Sequence, residues 1–370
     1  MYKKISIIGL GFVGLPMLVN LADKMKKTRI IGIEKKNNEG ILKIKKLKNN
    51  NFYVKSNDHL LEKKFNKSLN KNIFLSNEIK DISKSDVILI STSFDFSKKN
   101  SLKNIKQLFT DIADNLDPGT LILTETTIPP GASRKILFPI LRKRLIKRNI
   151  PISSVYFGYS FERIMPGINY LNSLNNNYRA YSGINKISSK KIRLFLQTFL
   201  NTKKYPLHEF NFIDECETCK IVENSFRAMN IAFTDEWMKF ADLRKMNLNK
   251  ILDAIRVRPT HQNIMRAGLG VGGYCLTKDP LMGEIASKKN LKKLVKLPIS
   301  QNIVRINQRM PKEVLSDIEK RLQFKKLKEK NVFLFGASYR QGVGDTRFSA
   351  SEFVYNYFLK KKCKIRVIDP

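Results

Sequence analysis

The segment GLGVGGYCLTKDP, residues 268–280, sets one cysteine between a glycine-rich stretch and a lysine–aspartate pair. A cysteine thiolate is a nucleophile, and nearby cations and backbone N–H groups favour its formation. Lys278 and Asp279 follow Cys275 within one turn, and four glycines would let the backbone come close to a bound molecule, at positions 268, 270, 272 and 273. The segment therefore predicts covalent catalysis by Cys275, with simple packing as the alternative.

A second stretch with chemical meaning is GLGFVG, residues 9–14, which lies between a β-branched apolar run and a helical pattern. Its glycines would let the backbone approach a pyrophosphate at a helix N-terminus. The next apolar run ends in Glu34, whose carboxylate can accept hydrogen bonds from both ribose hydroxyls. This pattern predicts NAD rather than NADP as cofactor, with contacts from Gly9, Gly11, Phe12, Val13, Gly14 and Glu34. A glycine-rich turn without cofactor is the alternative.

Apolar runs alternate with helical patterns through the next hundred residues: SDVILISTS (85–93), a helix at 103–115, GTLILTETTIPPGAS (119–133) and a helix at 134–148. Such alternation predicts a parallel, doubly wound α/β sheet. Ligands of these sheets lie at the carboxyl ends of the strands. We therefore expect Ser91, Thr92 and Thr126 to contact the cofactor, and turn or helix capping is the alternative for Ser91.

Residues 214–247 contain neither glycine nor proline, and their apolar residues recur at helical spacing. They predict one helix of about 30 residues that joins two domains. One small domain cannot cover such a helix, so we expect it to make the contacts of a homodimer. Lys220 and Asn224 are four residues apart and point the same way. Cys216 and Cys219 form a CxxC without a second ligand pair, so we expect no zinc or other metal.

The composition limits the class of protein. The net charge is +37, but the lysines are dispersed along the chain and mixed with Asn and Ile, which favours solvated surfaces over a nucleic-acid partner. The four cysteines form no regular framework, which is typical of a reducing cytoplasm. No apolar run approaches the roughly 18 residues that a membrane span needs. We therefore expect a cytoplasmic protein that binds neither nucleic acid nor membrane.

Six segments resemble, in chain order, those of the nucleotide-sugar 6-dehydrogenases, the family of UDP-glucose, GDP-mannose and UDP-N-acetylhexosamine dehydrogenases: GLGFVG, ETTIPPG, FERIMPG, ETCKIVENSFRAMNIAF, GLGVGGYCLTKD and GDTRFSASEF. The resemblance implies that NAD⁺ oxidises the sugar C6 hydroxyl twice, through a cysteine thiohemiacetal and a thioester, to a uronic acid for polysaccharide synthesis. The ERxxPG element resembles the N-acetylhexosamine branch. A UDP-N-acetylhexosamine is therefore the expected substrate, with UDP-glucose next and GDP-mannose third.

The resemblance also implies roles for single residues. Cys275 matches the nucleophile, Glu162 the general base of thioester hydrolysis, and Thr127 the residue that holds water or nicotinamide. Asp279 and Lys220 match the groups that orient water and stabilise oxyanions, Asn224 their hydrogen-bonding neighbour, and Arg347 an arginine near cofactor and substrate. The expected substrate contacts are Glu162, Arg163, Lys220, Asn224, Gly272 and Gly273. A Glu162–Arg163 surface ion pair and an ordinary helix lysine at 220 are the alternatives.

Together these features predict an N-terminal Rossmann domain at residues 1–204 and a central helical domain at 205–305 that carries the cysteine loop and dimerises. Residues 306–370 start another strand–helix–strand unit and stop at its second strand, too soon to bury a sheet. We interpret them as a truncated nucleotide-sugar-binding domain.

Two other interpretations stay open. A β-hydroxyacid or 6-phosphogluconate-type dehydrogenase also joins a Rossmann domain to a long helix bearing lysine and asparagine, but its single hydride transfer needs no cysteine. A basic Rossmann protein that binds a nucleotide or nucleic acid would show binding with a steep salt dependence.

Overall fold

The computed structural model describes residues 2–54, 56–94, 99–167, 169–290, 293–322 and 327–369. The chain forms two compact units. The first comprises Met1–Lys220 and Ile285–Leu294, and the second comprises Ile221–Glu284 and Val295–Pro370. The predicted division into three domains stays a prediction.

The elements that begin in the first unit alternate between strand and helix. Their bounds are β1 Lys4–Ile8, α1 Gly14–Lys24, β2 Arg29–Ile33, α2 Asn38–Lys48, α3 His59–Ser68, β3 Ile73–Ser76, β4 Val87–Ile90, α4 Lys99–Asn115, β5 Leu121–Thr124, α5 Phe138–Lys147, β6 Tyr156–Phe161, α6 Tyr170–Asn175, β7 Arg179–Gly183, α7 Lys186–Leu196, β8 Leu207–Glu209 and α8 Ile213–Leu243. A π-helical turn, Ser133–Leu137, precedes α5.

The eight strands form one sheet in the order β3-β2-β1-β4-β5-β6-β7-β8. The first six are parallel, β7 runs antiparallel to β6, and β8 is parallel to β7. Strands β1, β2, β4 and β5 are apolar and almost wholly buried, as expected when helices cover both faces of a parallel sheet. The predicted doubly wound α/β fold is confirmed, and the β6–β7 reversal is an addition that the alternation did not predict.

The long helix ends earlier than the predicted residue 247. Helix α8 stops at Leu243, and Lys245 takes the left-handed conformation with φ 55°. The N–H of Met246 then donates to the Ala241 carbonyl at 2.8 Å, which closes the helix as in a Schellman motif. Asn247 caps the following helix by accepting from the Lys250 N–H. The prediction was wrong here because lysine replaces the usual glycine signal.

The remaining elements are α9 Leu248–Arg256, α10 Met282–Asn290, α11 Pro298–Leu322, β9 Asn331–Phe335, α12 Ala350–Lys360 and β10 Lys364–Ile368. Strands β9 and β10 pair in parallel as a two-stranded sheet. A small apolar cluster lies beneath this sheet and includes Leu315, Val354 and Phe358. The second strand–helix–strand unit that the sequence predicts is therefore present.

Two kinds of feature are absent from the part of the chain that the structure describes. No helix there combines the length and apolar character that crossing a bilayer requires. Within the same residues, no three His, Cys, Asp or Glu side chains converge as metal ligands would.

Candidate active site

The glycine loop between β1 and α1 contains two glycines that the fold itself requires. Gly9 has φ 90°, and a Cβ there would lie 2.7 Å from Thr92 Cγ2. A Cβ on Gly14 would lie 1.9 Å from the Gly9 carbonyl oxygen. Gly11 differs, because an added Cβ would meet no atom of the described residues within 4 Å. Open space above Gly11 is what a ligand phosphate needs for close approach.

Glu34 lies directly after β2 and is 8% exposed. Its Oε1 accepts a hydrogen bond from the Leu10 N–H at 2.7 Å. The carboxylate therefore fixes the glycine loop and stands at the carboxyl end of the strand. Its predicted contact with ribose stays a prediction.

Two tyrosines that sequence reasoning missed also hold this loop. Tyr53 donates its hydroxyl to the Leu10 carbonyl at 2.6 Å, and Tyr170 donates to the Phe12 carbonyl. Burial raises the pKa of Tyr53 far above its usual value, with smaller contributions from the charges of Glu34 and Glu39, so it remains a donor. No local pattern marks either residue, because both reach the loop from distant parts of the chain.

Polar groups at the carboxyl end of β4 fit a dinucleotide. The hydroxyls of Ser91 and Thr92 are buried, and neither has a hydrogen-bond partner among the described residues. Buried hydroxyls without partners are uncommon in proteins, so a bound molecule is a natural acceptor or donor for them. With the open Gly11 backbone and Glu34, they are the groups that would hold NAD.

The strand end after β5 carries the predicted residues Thr126 and Thr127, both half-buried. Just before them, Glu125 is fully buried and pairs with Arg179 at 2.6 Å. Burial raises the pKa of Glu125 to about 6 against the opposing charge of Arg179, and the charge of Glu162 adds to the rise. No sequence pattern predicts this ion pair, since its partners lie on β7 and after β5.

Glu162 and Lys220 meet at the end of β6. The Lys220 ammonium donates to the Glu162 backbone carbonyl at 3.0 Å and lies 5.4 Å from the centroid of the Phe161 ring. Lys220 is only 8% exposed, so it is not an ordinary surface lysine of a helix. Oε2 of Glu162 accepts from the Ile164 N–H at 2.5 Å, and Arg163 donates to the Tyr178 carbonyl at 2.7 Å.

In the second unit, Cys275 is an exposed cysteine at the start of a tight turn. The N–H groups of Lys278 and Asp279 both donate to the Cys275 carbonyl, at 3.2 and 2.9 Å. The Gly273 N–H donates to the Arg347 carbonyl at 2.9 Å, which attaches the cysteine loop to residues before α12.

Arg347 lies within electrostatic reach of the cysteine. Its guanidinium donates to both carboxylate oxygens of Asp345, at 2.8 and 2.7 Å. These bonds raise the pKa of Arg347 more than partial burial lowers it, and the charge of Cys275 adds to the rise. A cation held in this position favours the thiolate over the thiol. Arg347 thus interacts electrostatically with Cys275, while its predicted cofactor and substrate contacts stay predictions.

Asp279 is fully buried and bonded on both oxygens. Asn224 Nδ2 donates to Oδ2 at 2.6 Å, and the Lys278 ammonium binds Oδ1 at 2.5 Å. Lys278 also lies 4.7 Å from the Tyr274 ring centroid. The structure therefore brings Asn224, Lys278 and Asp279 together, as expected for a network that orients one carboxylate.

Gly272 and Gly273 are needed for packing within the protein. A Cβ on Gly272 would lie 2.4 Å from Tyr339 Cβ, and one on Gly273 would lie 3.0 Å from Tyr339 Cζ. Gly273 also has φ 81°. Tyr339, which the sequence did not single out, thus explains these two glycines. Their contact with substrate stays a prediction.

Two models of one protein family match the chain. The family model described as "UDP-glucose/GDP-mannose dehydrogenase family, NAD binding domain" matches residues 3–194, and that of the family's central domain matches residues 214–309. A UDP-N-acetyl-D-mannosamine dehydrogenase of Methanococcus vannielii is 31% identical over 375 residues, covering 100% of this chain and 80% of the relative.

Two further comparisons concern the fold and a second relative. A UDP-N-acetyl-D-mannosamine dehydrogenase of Methanococcus maripaludis is 30% identical, with 100% of this chain and 80% of the relative covered. The solved structure of a UDP-D-ManNAc dehydrogenase from Pyrococcus horikoshii superposes with a TM-score of 0.83 at 24% identity, covering 100% of this chain and 84% of that one. At 24% identity, the likeness to this solved structure shows the fold alone.

Proposed function

Because the chain belongs to the UDP-glucose/GDP-mannose dehydrogenase family, we propose that it oxidises C6 of a UDP-N-acetylhexosamine to the uronic acid, using two NAD⁺ per sugar. The observation that carries the proposal is the setting of Cys275. An exposed thiol lies in a glycine-held turn, with the Arg347 cation in electrostatic reach. A dehydrogenase that transfers one hydride has no use for such a thiol.

The thiol explains how an alcohol becomes an acid without release of the aldehyde. NAD⁺, when bound, supplies a hydride acceptor for each of the two oxidations. The Cys275 thiolate adds to C6 of the aldehyde, and the oxygen takes a proton to give a thiohemiacetal. Loss of a second hydride and the hydroxyl proton leaves a thioester. Water then adds to its carbonyl carbon, the C–S bond breaks, and the acid and the thiolate are released.

Other residues have roles around these steps. Lys220 donates one of its three ammonium hydrogens to Glu162, which leaves donors for a developing oxyanion. Asn224 is held by Asp279 and is the second donor that we propose. Glu162 is the proposed base for hydrolysis, and the hydrogen bond from the Ile164 N–H orients its carboxylate. Thr127 is proposed to hold the water.

The names of the relatives support the choice of sugar. The two Methanococcus relatives are both named for UDP-N-acetyl-D-mannosamine. UDP-N-acetyl-D-mannosamine is therefore the first substrate that we propose for this chain, followed by the other UDP-N-acetylhexosamines and UDP-glucose. The uronic acid would serve polysaccharide synthesis, and we propose a cytoplasmic location, in keeping with four cysteines that form no disulfide among the described residues.

The test counts NADH formed per sugar consumed, with UDP-N-acetylmannosamine, UDP-N-acetylglucosamine, UDP-N-acetylgalactosamine, UDP-glucose and GDP-mannose offered separately. Two NADH per UDP-N-acetylhexosamine support the proposal, and Cys275→Ser should abolish the second oxidation while Cys219→Ser, the matched control, leaves it intact. One NADH per sugar, with Cys275→Ser fully active, would instead support the single-hydride class.

We also propose a homodimer through α8. Seven apolar side chains of this helix are exposed and recur every three or four residues: Val222, Phe226, Met229, Phe233, Trp237, Phe240 and Leu243. A stripe of this length on one helix is typical of an interface, and near-heptad spacing suits packing against a second copy of the same helix.

Light scattering tests the dimer. The unaltered chain should have the mass of two copies, and Phe233→Glu with Trp237→Glu should give the mass of one. Ile187→Glu is the control, since Ile187 is as exposed as these residues but lies on α7. A monomeric mass for the unaltered chain at micromolar concentration would contradict the proposal.

A further inference from the structure

Glu217 is a fully buried carboxyl group in the second turn of α8. Its Oε2 accepts from the N–H of Gly131 at 2.5 Å, and its Oε1 accepts from the N–H of Ser133 at 2.9 Å. One side chain of the helix therefore holds two backbone groups of the turn that follows β5.

This attachment is costly to break. A buried carboxyl group without partners is strongly destabilising, and the two N–H groups would lose their acceptors at the same time. Burial raises the pKa of Glu217 to about 8, although the hydrogen bonds from Ser133 and Gly131 act to lower it. The group is thus fixed in place by its bonds to the turn.

The turn that Glu217 holds begins directly after Thr126 and Thr127. It is stiff, because Pro129 and Pro130 restrict its backbone. Asn290 Nδ2 also donates to the Pro130 carbonyl at 2.8 Å. A displacement of this turn would therefore be passed to the two threonines.

The same face of α8 also holds the neighbouring strand end. Lys220 follows Glu217 by three residues and so lies on the same side of the helix. Its ammonium binds the Glu162 carbonyl at the end of β6, and β6 pairs directly with β5. Successive turns of one helix thus bind the loop that follows β5 and the end of the adjacent strand β6.

We propose that Glu217 is a positioning residue: by binding Gly131 and Ser133 it fixes Thr127 relative to Lys220 and Glu162. The expected effect of Glu217 on kcat rests on the proposed function, whereas the attachment of Glu217 to the turn does not. Glu217 touches neither reacting atoms nor cofactor in this role, and it acts through the turn.

The first measurement is amide hydrogen exchange, which requires no activity. In Glu217→Gln and Glu217→Ala, the amides of Gly131 and Ser133 should exchange at least about tenfold faster, as expected when buried hydrogen bonds are lost, and those of Thr126 and Thr127 should follow. Asp214→Asn is the matched control. Asp214 pairs with Arg134 of the same turn, but the pair is exposed and its loss should change exchange by less than about twofold.

The second measurement is a double-mutant cycle between Glu217→Gln and Thr127→Ala. If Glu217 acts through the turn, kcat should fall about tenfold in Glu217→Gln, with little change in NAD⁺ affinity, and the double variant should be much less impaired than the product of the single effects. Multiplicative effects on kcat would overturn the positioning role and leave Glu217 as a stabilising residue only.

The two measurements separate the two proposals. Unchanged exchange at Thr126 and Thr127 in both Glu217 variants, with the thermal midpoint showing a folded chain, would overturn the inference whatever the activity. No NADH from any sugar would contradict the proposed function, while faster exchange at the threonines would still support the attachment.

Discussion

The chain contains the same strand–loop–helix–strand unit twice, at β1–α1–β2 and at β9–α12–β10, with different consequences. Each first strand is followed directly by a glycine of positive φ, Gly9 at 90° and Gly336 at 89°. The N–H of each glycine donates at 2.8 Å to the last residue of the second strand, Ile33 or Ile368.

The likeness extends to an acidic residue after the second strand. Glu34 accepts from the Leu10 N–H at 2.7 Å, and Asp369 accepts from the Ala337 N–H at 2.5 Å. In both units a carboxylate thus ties the start of the loop to the end of the second strand. The two turns therefore have the same pattern of hydrogen bonds.

The surroundings differ. Strand β1 lies inside the eight-stranded sheet and is buried, whereas β9 and β10 form a sheet of two strands, where Phe335 is 75% exposed. The first loop passes quickly into α1, but residues 337–349 intervene before α12 and bring Tyr339 and Arg347 to the cysteine loop. A shared turn thus lies beside the predicted cofactor site in one case and beside Cys275, the proposed nucleophile, in the other.

The largest difference that we expect is between Gly9→Ala and Gly336→Ala. Both add strain of about 1 to 2 kcal/mol at a positive φ, but only Gly9 has a neighbour in the way, Thr92 at 2.7 Å. Gly9→Ala should therefore cost about 3 kcal/mol and Gly336→Ala about 1 kcal/mol in the free energy of unfolding by urea. Equal losses would show that the sheet around β1 adds nothing to the cost.

The buried carboxyl group of Glu217 further distinguishes the compact unit that contains β1, α1 and β2 from the strand–helix–strand unit of β9, α12 and β10. The pKa of Glu217 is raised above its unfolded value, so its contribution to stability is full at acid pH and is lost as the pH rises towards about 8. We expect the free energy of unfolding to fall by on the order of 2 kcal/mol between pH 6.5 and pH 8, and Glu217→Gln to flatten this dependence. Its charged neighbours are Asp214 and Arg134. Asp369→Asn, in the exposed unit, is the control and should leave the slope as it is.

The reactivity of the Cys275 thiol tests the role of residues 337–349, the segment between β9 and α12 that contains Arg347. Arg347→Ala should slow alkylation of Cys275 by iodoacetamide about fivefold at neutral pH, because the cation that favours the thiolate is lost. Arg366→Ala, on the outer strand β10, is the control. Mass spectrometry of the peptide that contains Cys275 gives the alkylation rate. An unchanged rate in Arg347→Ala would show that Arg347 does not affect the reactivity of Cys275.

The smallest effect concerns the first loop. Tyr53→Phe removes one neutral hydrogen bond to the Leu10 carbonyl and should weaken NAD⁺ binding about threefold, as measured by calorimetry. Tyr178→Phe, an exposed tyrosine away from this loop, should bind NAD⁺ as the unaltered chain does. Alkylation of Cys275 should be the same in both variants, since the two loops have separate tasks.

The sequence alone determined the units that depend on neighbouring residues. Gly9, Gly14 and Glu34 marked a strand–turn–helix–strand because glycine conformation and apolar periodicity act over a few residues. Cys275 stood out for the same reason, since glycines and Lys278 adjoin it in the chain. The end of α8 was missed because Lys245 has the left-handed backbone conformation, which lysine rarely adopts, so a lysine does not usually mark the end of a helix.

Only the tertiary structure decided which distant groups meet. Tyr53 and Tyr170 reach the glycine loop, Arg179 meets Glu125, and Glu217 binds the turn after Thr127, in each case across segments with no local relation. Burial and hydrogen-bond partners depend on how strands and helices pack, and packing is a property of the whole chain. The candidate catalytic and binding residues could therefore be recognised in the sequence, whereas the residues that hold them in place could be identified only from the fold.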